Sequence, residues 1–182
     1  HYGVALFYNG RINYNGGNYS KAVNCFREAE KWTDSPYWKS MIFSHLGYTY
    51  NKNFIKSEEI SYAEKALEIV KELDDTLAIQ QSMSALATAY LNNRLFSRAD
   101  SILERLCSAE PSYYIAYPQR ADLMIKQPHP AYAFIKGLFE MGMKNNVDMS
   151  TEDLSEYAYA LYKSGDKQRA DALFSKLVRT GK

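Results

Sequence analysis

Three histidines, two cysteines and a few paired carboxylates are the residues with which this chain could do chemistry. His1 stands at the chain end, and His129 lies between Pro128 and Pro130. His45 sits beside Leu46 and Gly47 in a helical pattern, with neither HExxH nor another metal-binding spacing around it. Cys25 and Cys107 are too few for a disulfide framework and neither sits in CxxC, so both read as buried packing residues. Glu58-Glu59 and Asp74-Asp75 read as solvated faces and helix ends rather than paired acid and base groups. There is no glycine-rich phosphate loop, GxSxG turn or aspartate cluster. Asn18-Tyr19-Ser20 fits a glycosylation acceptor, a triplet common by chance. The expectation is a protein that is not an enzyme, with no cofactor and no metal.

The elements that carry these residues are helical throughout. Between Leu77 and Pro111, Met83, Leu86 and Tyr90 form one apolar stripe, and Phe96, Ala99, Leu103 and Leu106 form the next. Spacings of three and four place each set on one helical face. Asn92-Asn93-Arg94 separates the two stripes, and Ala87 and Ala99, one on each side, let two backbones approach closely. Pro111 is expected to open the following helix.

The same pairing of small residues recurs at a spacing of twelve, as Gly10 with Ala22, Ala121 with Ala133, and Ala158 with Ala170. Gly16 and Gly17 supply a first turn that needs positive φ. Asn9 and Asn13, at positions where apolar residues are usual, suggest a frayed or terminal first helix. Twelve residues beyond Gly47 stands Glu59, a poor occupant of a close-packed seam. Ala63 fits better, which implies about four extra residues around Asn53 to Ser57. In the fourth unit Arg120, Gly137 and Glu140 fall at normally apolar positions. There Pro118 must lie near the start of its helix, and a second helix runs from about Pro130 to Met143. Ser150 or Thr151 can cap the next helix, with Glu152 and Asp153 in its first turn.

These spacings resemble the tetratricopeptide repeat (TPR), a helix–turn–helix unit of about 34 residues. The resemblance rests on Leu86-Ala87, Tyr90, Ala99, Leu103 and Pro111, and again on Leu154, Tyr157, Ala158, Leu161, Gly165, Ala170, Phe174 and Leu177. It implies an all-α, right-handed TPR-like superhelical solenoid of about five helix-turn-helix repeats. Residues 1–182 would form a single array, with repeats at about 2–34, 36–73, 76–109, 112–143 and 150–180, the fourth degenerate.

Sixteen tyrosines mark the composition, most of them on or just before the first helices of repeats. In TPR proteins those helices line a concave groove that binds peptide segments. Tyr50 and Tyr90 occupy the packing position. The face expected to look into the groove carries Phe7, Arg11 and Tyr14, then Ser44, Tyr48 and Asn51. It continues with Ser84, Thr88 and Asn92, and later with Tyr159 and Tyr162. Rigid rings give contact area at low entropy cost, and short polar groups adapt to a ligand. The alternative is that these tyrosines only fill gaps between helices. Gln81, Ala85 and Phe7 stand where the chaperone-binding subfamily carries its carboxylate clamp, so that role is not expected.

The implied function is a non-enzymatic scaffold that binds a protein or peptide through its concave face. A second reading follows from resemblance to TPR sensor regions of larger bacterial signalling or transcription-regulating proteins. The net charge of +1 gives no electrostatic footprint for nucleic acid, and no stretch is long and apolar enough to span a membrane. The chain enters helical pattern directly at His1, as a fragment lacking any leader would. Uncapped ends would let two arrays join as a homodimer. Cysteine usage assigns no compartment, cytoplasmic or periplasmic.

Overall fold

The computed structural model describes residues 1–52 and 55–179, except for the side chain of Lys56. Among the described residues the chain forms ten α-helices and no strand. They are α1 (Tyr2–Asn15), α2 (Tyr19–Lys31), α3 (Pro36–Lys52), α4 (Lys56–Val70) and α5 (Thr76–Asn92). There follow α6 (Phe96–Ser108), α7 (Ala116–Ile125), α8 (Tyr132–Lys144), α9 (Thr151–Lys163) and α10 (Lys167–Arg179). Two compact units result, His1–Ala99 and Asp100–Lys182.

The N-terminal unit is built from the apolar stripes of α1 to α4 with α5. Consecutive helices pack against each other from α1 to α5, and α3 also touches α1 on one side and α5 on the other. Phe7, Phe26, Ile42 and Leu46 lie in its core, with Ala22 and Ala29 fully enclosed between them. Gly10 leaves space that the Phe26 ring fills: a Cβ there would come within 2.5 Å of Phe26 Cε1. The first helix is therefore held along its length, and no fraying accompanies Asn9 and Asn13, whose amides bond to each other at 3.0 Å.

One turn recurs inside the hairpins. Asn18, Ile55, Leu95 and Asp166 each donate a backbone N–H across the helix end, to the carbonyls of Asn13, Tyr50, Tyr90 and Leu161 at 2.8 to 3.0 Å. Such bonds satisfy carbonyls that a helix end would otherwise leave open. The residue before the donor takes positive φ where glycine or a substitute allows it. Gly17 does so at 75° and Arg94 at 59°, the latter at a steric cost of about 1 kcal/mol. Gly16, expected to share this role, is at φ −81°.

The insertion expected in the second hairpin is absent. Asn53 and Phe54 lie outside the described residues, but the flanking helices set the length. Ile55 closes on Tyr50 as Leu95 closes on Tyr90, and three residues separate α3 from α4 just as three separate α5 from α6. Glu59 therefore does occupy the seam position, with its backbone oxygen 3.2 Å from where a Gly47 Cβ would stand.

In the C-terminal unit α7 packs on α8 and α9, α8 on α9, and α9 on α10. Its core holds Ile135, Phe139, Tyr157 and Leu161 around Ala121 and Ala170. Pro111 does not open a helix; α7 begins at Ala116. The last carbonyls of α6 are met instead by the intervening chain and the first turn of α7. Tyr113 N–H donates to Leu106 at 3.1 Å, and the Tyr117 hydroxyl donates to Cys107 at 3.0 Å. Pro118 falls in the first turn of α7, where its missing N–H costs nothing.

The charged residues at apolar positions are matched to one another. Arg120 pairs with Asp100 at 2.9 Å and Glu104 at 3.1 Å, its guanidinium 5.6 Å from the Phe134 ring centre. Glu140 accepts from the Tyr157 hydroxyl and from Arg169, both at 3.0 Å. Ser150 caps α9 in a capping box: its Oγ accepts from Asp153 N–H, and the Asp153 carboxylate accepts from Ser150 N–H. Ser150→Ala is expected to lower stability by about 1 kcal/mol, read as a lower urea midpoint with unchanged slope.

Candidate functional site

The face shared by α3 and α5 carries the site. Tyr37, Met41, Ser44 and Tyr48 recur at helical spacing, which points one stripe of α3 toward α5. Opposite them α5 presents Ala78, Ser82, Ala85 and Ala89, whose short side chains leave space between the helices. A cleft of about 170 Å³ results, open to solvent and walled by Tyr37, Met41, His45 and Tyr48 on one side and Ala78 and Ala85 on the other. It continues past Ser44 and Tyr48 into a smaller void of about 10 Å³ whose wall includes Glu59 and Ala89. Tyr37 and Ala78 line the larger space, and Gly47 and Ala89 line the smaller one, so the two helices run in the same direction along the cleft.

His45 stands between core and cleft. Its Nδ1 lies 2.9 Å from the Met41 carbonyl, an acceptor only, so Nδ1 carries the proton. The ring meets Phe7 at 4.9 Å and Phe26 at 5.6 Å. Burial, with nearby Arg11 assisting, holds its pKa below the ordinary histidine value. The imidazole is thus neutral near pH 7, an apolar wall with one basic nitrogen.

One turn of helix beyond Tyr48 and Ala89, which wall the smaller void together with Glu59, stand Asn51 and Asn92. Both amides donate to the carboxylate of Glu59, which is 2% exposed. Asn51 Nδ2 reaches Oε2 at 2.8 Å and Asn92 Nδ2 reaches Oε1 at 2.7 Å. Asn93 Nδ2 adds a longer contact to Oε2 at 3.3 Å and a bond to the Ala89 carbonyl at 2.8 Å. A buried carboxylate is tolerated only with such donors.

The expected groove residues divide between these surroundings. Ser44 and Tyr48 line the cleft, and Asn51 and Asn92 meet on Glu59. Thr88 donates to the Ser84 carbonyl at 3.1 Å, and Ser84 itself is buried. Phe7 lies in the core at 1% exposure, edge-on to Trp38. Arg11 is exposed beside the Tyr8 ring, and Tyr14 is half-buried against Tyr19. In the C-terminal unit Tyr159 and Tyr162 are exposed, Tyr159 edge-on to Tyr132 at 5.6 Å with Lys163 over it. Tyr37, Met41, His45 and Glu59 were not among the expected residues. The first three share the stripe of Ser44 and Tyr48 and were legible there, whereas Glu59 read as an error of register.

No group of three or more His, Cys, Asp or Glu is placed to hold a metal among the described residues. Among the same residues no helix is long and apolar enough to cross a membrane. Burial pushes the Cys107 thiol up to about 11, so it is no nucleophile.

No family model and no curated protein matches the sequence. Solved structures do match in fold. A thermophilic TPR protein of Thermus thermophilus aligns with a TM-score of 0.71 at 16% identity, over 97% of this chain and 90% of that one. BtubC from P. vanneervenii aligns at 0.73 and 19% identity, over 93% and 76%. The apo form of the quorum sensor NprR from B. thuringiensis aligns at 0.78 and 12% identity, over 96% of this chain and 52% of that one. With ten helices in succession among the described residues, the chain has the TPR-like fold, an all-α helical repeat solenoid.

Proposed function

We propose that this protein is a non-enzymatic scaffold that binds an extended peptide segment in the cleft between α3 and α5. The cleft itself carries the reading: aromatic and thioether walls and a floor of alanine and serine, with the Asn51 and Asn92 amides one helical turn beyond it. Tyr37 and Tyr48 would cover side chains of the ligand, and the polar groups of Ser44, Asn51 and Asn92 would meet its backbone. Arg11 and Thr88 extend the surface within the N-terminal unit, and Tyr159 and Tyr162 offer a second exposed pair within the C-terminal unit.

The test is panning of the full chain against a phage-displayed random heptapeptide library, followed by titration of the enriched peptide. Tyr48→Ala should weaken that peptide about tenfold or more while helicity and urea midpoint stay unchanged. Unaltered affinity would remove the cleft from the reading. Likeness to the quorum sensor NprR, of which this chain spans about half, favours a second reading, the sensing region of a larger regulator. On that reading bound peptide would also have to change the output of flanking domains in the full-length protein.

A further inference from the structure

We infer that Glu59 is a positioning residue that fixes the Asn51 and Asn92 amides with their carbonyl oxygens outward, making a paired acceptor for two backbone N–H groups of the bound peptide. This rests on the peptide reading of the α3–α5 cleft and says which groups of the ligand that end of the cleft recognises. An asparagine amide is symmetric enough in shape to sit either way round, and only its hydrogen bonds choose. Here both Nδ2 groups lie against the oxygens of one carboxylate, at 2.8 and 2.7 Å. A carboxylate accepts and cannot donate to an amide oxygen, so neither amide can turn over without placing oxygen against oxygen.

Glu59 can do this because it is buried and cannot turn to water. Its backbone is pressed on Gly47, its side chain is 2% exposed, and Asn93 closes on it from the end of α5. Asn92, by contrast, is exposed and Asn51 half-buried, and among the described residues the hydrogen bonds of both engage Nδ2 alone. The far side of each planar amide is its oxygen. Being tied to the two oxygens of one carboxylate holds the pair near each other, within reach of the same-side N–H groups of an extended strand, which recur about every 6.8 Å. The two acceptors therefore suit successive same-side N–H groups of one strand leaving the cleft past Tyr48.

The decisive experiment is a double cycle on the peptide enriched from the heptapeptide library. Backbone N-methylation, scanned along that peptide, removes one N–H donor at a time. In the wild-type chain methylation at two alternate positions should weaken binding about tenfold each, as expected for one lost hydrogen bond. In Glu59→Gln the methylation penalty at one of those positions should fall to about twofold or less. Gln keeps the volume of Glu but offers one oxygen and one NH2, which releases an amide from its fixed orientation. A residue that merely stabilised the helices would leave the methylation penalty intact, so additive effects in folded Glu59→Gln overturn the inference. If that variant does not fold, Asn92→Ala and Asn51→Ala replace it, since both positions reach solvent. Loss of one methylation penalty in each supports the paired acceptor, and full penalties in both overturn it. Failure to enrich any peptide overturns the cleft reading and this one together, whereas enrichment followed by additivity removes only the role of Glu59.

Discussion

Phe7→Ala is expected to cost the N-terminal unit about 3–5 kcal/mol, the range for truncating a fully buried aromatic residue. Phe7 is 1% exposed, and its ring centre lies 5.8 Å from Phe26, 5.5 Å from Trp38 and 4.9 Å from His45. Removing it opens a void that this aromatic cluster cannot fill, because Gly10 already gives Phe26 its place. Both tryptophans, Trp32 and Trp38, belong to the N-terminal unit, so intrinsic fluorescence in a urea titration reports that unit. A large drop in midpoint is the expected result. An unchanged midpoint would return Phe7 to the exposed face where its spacing first placed it.

The second expected effect is a pH dependence centred on Glu156. Burial, then the charge of Asp122, pushes its carboxyl from the ordinary 4.5 up to about 7. Glu156 Oε2 is buried without a donor among the described residues, so a bond between the two carboxyls exists only while one of them holds a proton. The groups facing Glu156 are Asp122 and Lys126 on α7 and Glu152 on its own helix, with Lys126 paired to Asp122 at 2.5 Å. The folded state holds the Glu156 proton more tightly than the unfolded chain does. Stability from this group is therefore full below about pH 4.5 and is lost as pH rises through about 7. At face value the shift is worth roughly 3 kcal/mol, and screening by water and Lys126 reduces it to about 2 kcal/mol. Glu156→Gln carries no such proton and should be more stable than wild type by about that amount at pH 8, converging with it near pH 5. Circular dichroism melts at the two pH values check this, and parallel behaviour of the two proteins would exclude the coupling.

Much of the fold follows from short-range pattern. Stripes at three and four residues define α5 and α6, Ser150 with Asp153 starts α9, and Pro118 marks the first turn of α7. Each of these depends on neighbours within about one helical turn, where covalent geometry limits the choices. The stripe of Ser44 and Tyr48 was legible for the same reason, and it led to the cleft.

Other features depend on partners far along the chain. Glu59 contradicted the seam pattern because its compensation comes from Asn51, Asn92 and Asn93 at the ends of two other helices. Arg120 and Glu140 broke the apolar pattern of the fourth hairpin, and their matches are Asp100, Glu104, Tyr157 and Arg169. Phe7 and Tyr48 were assigned to one face, yet one is enclosed and the other exposed, since helical phase says nothing about how closely the next helix lies. By itself, then, the sequence determined the helices, their hairpin order and the repeat class. Tertiary structure decided which polar residues could be buried and which aromatic residues remained available to a ligand. The physical reason is that periodicity is set by bonds within a turn, whereas burying a charge depends on donors that only packing brings within 3 Å.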